Sequence, residues 1–216
     1  MGNLQFQPSL LQSGPPTAPA TALGRGLTPR MLNHHARVTH DVATTADFYI
    51  RVLGMELAST VWDDRVPSTG EAYPYFHIFF RMQDGSTLAF FECIDLPARA
   101  QPTHPAYDVF DHLAMQVQDE AELQRWQAWL IECGVEVLGP VDHKGMIRSI
   151  YFHDPNGYRL ELTVPVDPLW NRHTEQAYHD LNQWVQAKQG ARERGDSEAQ
   201  ALTRLIRGVK GERYGK

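Results

Sequence analysis

Hydrophobic and polar positions follow the same order twice along this chain. Asn33–His40 and His112–Val117 are each predicted to form a strand, and polar and apolar residues alternate clearly in the second. Each strand leads into a segment with apolar residues at helical spacing, Thr44–Leu53 and Glu120–Cys133, which ends at a glycine suited to a helix C-terminus. In the first helix, Thr44 with Asp47 resembles a capping box. The pattern predicts one strand and one helix at the start of each copy.

Three more strands are predicted to complete each copy. They are Met55–Trp62, Tyr75–Met82 and Thr87–Ile94 in the first copy, and Val135–Leu138, Arg148–Phe152 and Tyr158–Val164 in the second. Asp84–Gly85 and Asp154–Gly157 supply the turns before the last strands. A βαβββ unit this small would leave one sheet face bare, so two are expected to pack together. We therefore predict an α+β domain over residues 31–165, with modules at about 31–96 and 109–165.

The two ends of the chain have a different character. Residues 1–30 are rich in proline and small polar residues, which predicts a flexible N-terminal arm or one that packs on a partner subunit. Residues 166–216 are predicted to form a helical C-terminal extension, with helices over Thr174–Lys188 and Glu198–Val209 and a loose segment at Gly190–Asp196. Because these extensions carry unpaired apolar stripes, a homodimer is expected.

Composition narrows the functional classes. A net charge of −6 and a pI near 5.9 leave no basic surface of the kind that nucleic acids need. The sequence lacks an apolar run near the roughly 20 residues that cross a membrane. Cys93 and Cys133 have no metal-type spacing, which favours two reduced thiols in a cytoplasmic protein.

A histidine stands at an equivalent position in both copies of the repeat, whereas a carboxylate stands at another position in the second copy alone. His34 returns 78 positions later as His112, whereas Ala89 stands where the second copy has Glu161. Glu161 lies between two leucines, so the carboxylate points away from the apolar face of its strand. An unpaired inward carboxylate is costly, so a metal ion or a cationic partner is expected. We predict a metal site from His34, His112 and Glu161.

The first copy fits this scheme less cleanly. His35, Arg37 and Thr39 fall on the strand face that is expected to be apolar. The choice of His34 over His35 rests on the register of the repeat.

Residues 31–165 resemble the vicinal-oxygen-chelate superfamily, which includes glyoxalase I, the bleomycin and fosfomycin resistance proteins, methylmalonyl-CoA epimerase and extradiol dioxygenases. The segments that carry the resemblance are Leu32–His34, Asp47–Tyr49, Leu53–Met55, Asp111–Ala114 and Tyr151–Leu162. The resemblance implies paired modules in a cupped, barrel-like mixed sheet around one divalent metal, with a small-molecule substrate that bears vicinal oxygens.

The ligand set separates the members of this superfamily. Lyases and epimerases of the family supply four ligands, whereas extradiol dioxygenases lack the carboxylate of the first module, where this chain has Ala89. Glu92 lies three residues further on, so it faces the other side of the strand unless a bulge intervenes. A triad of two histidines and one carboxylate favours Fe(II), with Mn, Zn or Ni as alternatives.

A second likeness concerns the acid–base groups. Extradiol enzymes carry a tyrosine ten residues before the carboxylate ligand and a histidine shortly before that tyrosine, which correspond to Tyr151 and His143. They also carry a catalytic histidine before the last strand of the first module, where this chain reads Gly85–Thr87. His77 on the neighbouring strand is the candidate for that role.

Three hypotheses follow from the resemblance. The first is an Fe(II) extradiol-type dioxygenase acting on a small, aromatic, catechol-like substrate. The second is a glyoxalase-like lyase or isomerase that uses Zn, Ni or Mn, with Glu92 or water completing the ligand shell. The third is a binding protein that sequesters a drug, as bleomycin resistance proteins do; it has no need of a ligand triad.

Overall fold

The structure is a computed structural model that describes residues 29–97 and 104–214. It divides into two compact units, one spanning Thr28–Pro168 and one that includes Leu169–Lys216. The arm predicted over residues 1–30 lies almost entirely outside the described residues. No helix in the described ranges is long and apolar enough to cross a membrane.

The first module forms a four-stranded mixed sheet with a helical segment after its first strand. Its elements are β1 (His34–Thr39), α1 (Val42–Asp47) with a π-helical turn at Phe48–Val52, β2 (Glu56–Arg65), β3 (Ala72–Arg81) and β4 (Thr87–Cys93). The strand order is β1-β4-β3-β2, with β1 parallel to β4 and the other pairs antiparallel. The predicted βαβββ order is confirmed here.

The second module repeats this topology. A short helix that the sequence analysis did not predict, α2 (Ala106–Phe110), precedes β5 (Leu113–Gln116), α3 (Glu120–Glu132), β6 (Leu138–Asp142), β7 (Ile147–His153) and β8 (Arg159–Pro165). The order β5-β8-β7-β6 mirrors that of the first sheet. β6 begins where the predicted strand Val135–Leu138 ends. The α+β class is confirmed, but the strands of the two sheets do not pair with each other in the described chain, so no barrel closes.

The hydrophobic core lies on the helix-covered faces of both sheets. It includes equivalent strand residues of the two modules: Ile78 and Ile150, Phe80 and Phe152, Leu88 and Leu160, Phe90 and Leu162. These side chains form one cluster with residues of the π-helical turn and α3. Because strand residues alternate between faces, the intervening positions of each sheet point away from the helices and from the shared core.

Both module helices begin at an aspartate. Asp41 accepts hydrogen bonds from the backbone N–H groups of Ala43 and Thr44, and Asp119 accepts one from that of Glu122. The predicted capping box of Thr44 with Asp47 is therefore wrong, because Asp41 already satisfies the first free N–H groups. Both caps stand at the same offset in the repeat.

Polar residues on the helix-covered face of β1 contact polar and aromatic residues of the second module. The guanidinium carbon of Arg37 lies 4.8 Å from the ring centroid of Tyr158, whose hydroxyl donates to the carbonyl of Val38 at 2.9 Å. Thr39 donates to Asn156 Oδ1 at 2.8 Å. These contacts join the modules, which explains why this face of β1 departs from the expected apolar pattern.

The C-terminal unit contains α4 (Thr174–Arg194) and α5 (Glu198–Tyr214). Both helices are longer than predicted. The segment predicted to be loose is helical up to Arg194, and the chain turns at Gly195 with φ of 70°. Arg192 near the end of α4 pairs with Glu198 at the start of α5, with a separation of 2.5 Å between Nε and Oε1.

Candidate metal centre

The two sheets place their candidate site residues at equivalent positions. We call the sheet face that points away from the helices the site face. It carries His34, His77, Phe79, Ala89 and Phe91 in the first module and His112, Ser149, Tyr151, Arg159, Glu161 and Thr163 in the second. The register supports the equivalence, since Phe79 pairs with Ala89 as Tyr151 pairs with Glu161. The first strands agree with the predicted 78-residue offset of His34 and His112, because Ala36 lies beside Ala89 as Ala114 lies beside Glu161.

His112 and Glu161 lie in direct contact. The distance between His112 Nε2 and Glu161 Oε2 is 2.8 Å, and the Glu161 side chain is only 2% exposed. His112 Nδ1 lies 2.9 Å from the carbonyl oxygen of Phe110, which can only accept, so Nδ1 carries the proton that makes this bond. The lone pair of a neutral His112 is thereby left on Nε2, as in metal-binding histidines held by a second hydrogen bond.

The pair has the chemistry of a cation site. A neutral imidazole nitrogen and a carboxylate oxygen 2.8 Å apart are both acceptors, so a positive charge is needed there, either a proton on Nε2 or a metal ion. Two neighbouring ligands at about 2.1 Å from one ion lie about 3 Å apart, close to the observed separation. Glu161 Oε1 is buried without a hydrogen-bond partner in the described residues. His112 and Glu161 therefore fit a divalent ion.

His34 is oriented by a hydrogen bond to Nδ1, as His112 is, but its ring contacts lie in the first module. Its Nδ1 lies 2.7 Å from Asn33 Oδ1, an acceptor, which again leaves the lone pair on Nε2. Its ring contacts His77 and Phe79, with centroids 6.4 Å and 5.8 Å away. No group of three His, Cys, Asp or Glu side chains that could hold a metal occurs in the described part of the chain. A single chain thus does not assemble the predicted triad, because both site faces point away from the shared core.

Tyr151 and His143, singled out by the sequence as acid–base candidates, are brought together. The hydroxyl of Tyr151 lies 2.8 Å from His143 Nε2, and the Tyr151 ring packs edge-on against that of His112 with centroids 5.7 Å apart. Burial, and after it the charge of Glu161, raises the pKa of Tyr151. The phenol therefore stays protonated beside the carboxylate.

His77 is buried among aromatic rings of the first module. It stacks on Phe91 at a centroid distance of 3.5 Å and lies 4.0 Å from the ring of Phe79. Burial, with a smaller contribution from His34, lowers the pKa of His77 to about 4. His77 is therefore neutral at neutral pH, and its described ring contacts all belong to the first module.

Glu92 is engaged on the other side of the sheet. Its Oε2 accepts a hydrogen bond of 2.6 Å from the backbone N–H of Val42, at the start of α1. The pairing of β3 with β4 runs without a bulge, so Glu92 and Ala89 face opposite ways. The structure therefore gives Glu92 a role at the helix N-terminus rather than at the site face.

The charged residue Arg159 also lies on the site face and was missed by the sequence analysis. Arg159 lies two positions before Glu161 on β8, and its guanidinium carbon is 4.4 Å from the ring centroid of Tyr151. The strand period alone could have found it, since residues two apart share a face.

Comparison with known proteins shows the family to which the chain belongs. Residues 31–162 match the family described as the Glyoxalase/Bleomycin resistance protein/Dioxygenase superfamily. The chain is 32% identical over 132 residues to Metallothiol transferase FosB of Bacillus licheniformis, which covers 61% of this chain and 73% of that protein. It is 42% identical over 55 residues to FosB of Staphylococcus epidermidis, covering 24% of this chain and 37% of that protein.

A solved structure shows the same fold. The glyoxylase/bleomycin resistance protein/dioxygenase domain from Frankia sp. EAN1pec superimposes with a TM-score of 0.52 at 14% identity, covering 64% of this chain and 99% of that domain.

Proposed function

Because the chain belongs to the Glyoxalase/Bleomycin resistance protein/Dioxygenase superfamily, we propose that it is a metal-dependent enzyme of the transferase or lyase type. The observation that carries the proposal is the contact of 2.8 Å between His112 and the buried Glu161, whose second oxygen has no partner in the described residues. The curated relatives are named as metallothiol transferases, which favours this reaction type over the ring-cleaving dioxygenase that we predicted first.

His112 and Glu161 would hold one divalent ion. Mn, Zn and Ni are preferred over the Fe(II) predicted first, since a transferase or lyase needs only a Lewis acid. Such an ion would polarise a substrate oxygen and stabilise the negative charge that develops on it. The carbonyl of Phe110 fixes the orientation of His112. Tyr151 and His143 share a hydrogen bond of 2.8 Å and can hold a proton at the Tyr151 hydroxyl for a substrate oxygen or nucleophile.

We further propose that a second copy of the chain completes the ligand set with its own His34. Two ligands from one chain leave the shell short of the three protein ligands usual for a catalytic site. The hydrogen bond of His34 is made by Nδ1, which leaves the Nε2 lone pair to bind a metal ion. On the two site faces, Val61 and Leu138 are 44% and 60% exposed, an apolar surface that a second subunit would cover.

The extradiol dioxygenase remains the second candidate. The contact between Tyr151 and His143 favours it, because the two residues were singled out by their likeness to that enzyme class and the structure joins them. Drug sequestration without turnover has less support, since it needs neither the buried carboxylate nor the oriented histidine.

The test starts with metal content. We expect purified protein loaded with Mn, Zn or Ni to bind one ion per chain, and His112→Ala to lose it. His179→Ala, on an exposed position of α4, is the matched control. Metal content that stays unchanged in His112→Ala would exclude both enzyme hypotheses.

The loaded protein then separates the two reactions. Loss of free thiol in the presence of small oxygen-bearing electrophiles, abolished by His112→Ala, would support the transferase. Oxygen uptake with catechols by the Fe(II)-loaded protein would support the dioxygenase instead.

A further inference from the structure

Arg159 is the nearest cation to the candidate metal centre along its own strand. It shares the site face of β8 with Glu161, and residues two apart on a strand are separated by about 6.5–7 Å. Its guanidinium carbon stacks over the ring of Tyr151 at 4.4 Å. The same ring packs against His112 on one side and reaches His143 through its hydroxyl. Tyr151 thus links Arg159 to the metal-binding pair.

One donor of the Arg159 guanidinium, its Nε, is buried and left without a partner among the described residues. An arginine has five N–H donors in a planar fork, and leaving a buried donor unpaired is unfavourable. Stacking on Tyr151 offsets part of that cost and holds the fork in one plane. The group is therefore oriented and lacks an acceptor at Nε.

We propose that Arg159 forms an anion-binding subsite for one end of the substrate. The inference rests on the metal centre proposed above. The ligand would be a compact molecule with oxygens that reach the metal at one end and a carboxylate at the other, roughly 6–7 Å away. Such an oxyanion would accept hydrogen bonds from the guanidinium fork, the geometry in which arginine binds anions best. Arg159 is a substrate-binding residue in this account.

A matched pair of chelators tests the subsite. Isothermal titration of the full-length, Mn(II)-loaded protein with 3,4-dihydroxybenzoate and with its methyl ester compares ligands that differ in one negative charge. We expect the acid to bind about tenfold more tightly than the ester, as befits a charge-assisted hydrogen bond. In Arg159→Met this preference should vanish, while the affinities for the ester and for Mn(II) stay unchanged. Arg159→Lys should retain part of the preference.

Several outcomes would overturn the subsite. Equal affinities of acid and ester in the wild-type protein would do so, and so would a preference for the acid that survives in Arg159→Met. The wild type alone supplies a further check, because the preference for the acid should shrink as salt is raised; a salt-independent preference contradicts the subsite. If Mn(II) binding is unaffected by His112→Ala, the metal centre itself is wrong. The subsite alone is wrong if the protein binds Mn(II) through His112 but does not distinguish the acid from the ester.

Discussion

Phe80 of the first module and Phe152 of the second stand at equivalent strand positions, and both are buried in the core that the modules share. On the opposite faces of the same strands the correspondence breaks down. Phe79 in the first module faces Ala89, whereas Tyr151 in the second faces Glu161. Likewise, His77 with Phe91 in the first module becomes Ser149 with Thr163 in the second.

The difference separates what the fold requires from what the site requires. The helix-covered face must fill a shared apolar core, so both modules keep residues of similar size there. The site face is not bound by that packing and can differ between the modules. In the first module it holds aromatic rings around His34 and His77, and in the second it holds a carboxylate, a phenol and an arginine.

The likeness of the cores predicts the largest effects on stability. Phe80→Ala and Phe152→Ala should each lower the free energy of unfolding by about 3–5 kcal/mol, because each removes a fully buried ring. Chemical denaturation followed by circular dichroism measures both. A cost below about 1 kcal/mol for one variant would show that the two cores are not equivalent.

The difference between the site faces predicts unequal roles for two glutamates. Glu161→Gln should weaken divalent metal binding by more than about 100-fold, since removal of groups that merely support a ligand already costs 10–100-fold. Glu92→Gln is the matched control, because Glu92 accepts its hydrogen bond from Val42 on the other face. Equal losses in the two variants, measured by titration with a competing chelator, would remove the distinction between the modules.

His77 should make the metal-free protein sensitive to acid. Its pKa is about 4 in the folded chain against 6.5 as the ordinary value, so below pH 6.5 only the unfolded state takes up the proton. Stability should therefore be fully present above pH 6.5 and fall by at most about 3 kcal/mol as pH decreases toward 4. The free energy of unfolding should be measured at several pH values in the presence of a metal chelator. In His77→Gln it should lose this part of its dependence on pH; an unchanged dependence would contradict the assignment.

The smallest predicted effect concerns the contact between modules. Asn156 accepts a hydrogen bond from Thr39 and donates one to Thr45, whereas the equivalent Asp84 of the first module accepts hydrogen bonds from Ser86 in its own turn. Asn156→Ala should lower the free energy of unfolding by about 1–2 kcal/mol, because it leaves Thr39 and Thr45 without these partners. Asn171→Ala, at an exposed position beyond β8, serves as the control and should change stability by less than about 0.5 kcal/mol.

Much of this could be predicted from the sequence. The alternation of Leu160, Glu161 and Leu162 fixes which side of β8 faces the core, and the 78-residue register selects His34 over His35. Both are local properties of strands, and the strand pairing agrees with them. The caps at Asp41 and Asp119 were missed, because Thr44 with Asp47 indicated the start of the first helix.

The rest depends on packing that no local pattern encodes. The sequence predicted that His34 would meet His112 and Glu161, but the modules of one chain join through their helix-covered faces, and the triad does not form there. The polar side chains of β1 that conflicted with the pattern are explained by contacts with residues more than 100 positions away. The strand period places Arg159 on the site face, but its stacking on Tyr151 is a contact that the sequence does not show.

The central claim is that the metal centre takes His112 and Glu161 from one chain and His34 from another. Metal content of co-expressed, differently tagged His34→Ala and His112→Ala subunits tests it most directly. Each variant alone should bind no stoichiometric Mn(II). The purified mixed dimer should recover one ion per two chains, because one of its two sites has every ligand intact. A mixed dimer that binds no more metal than its parents would contradict the account.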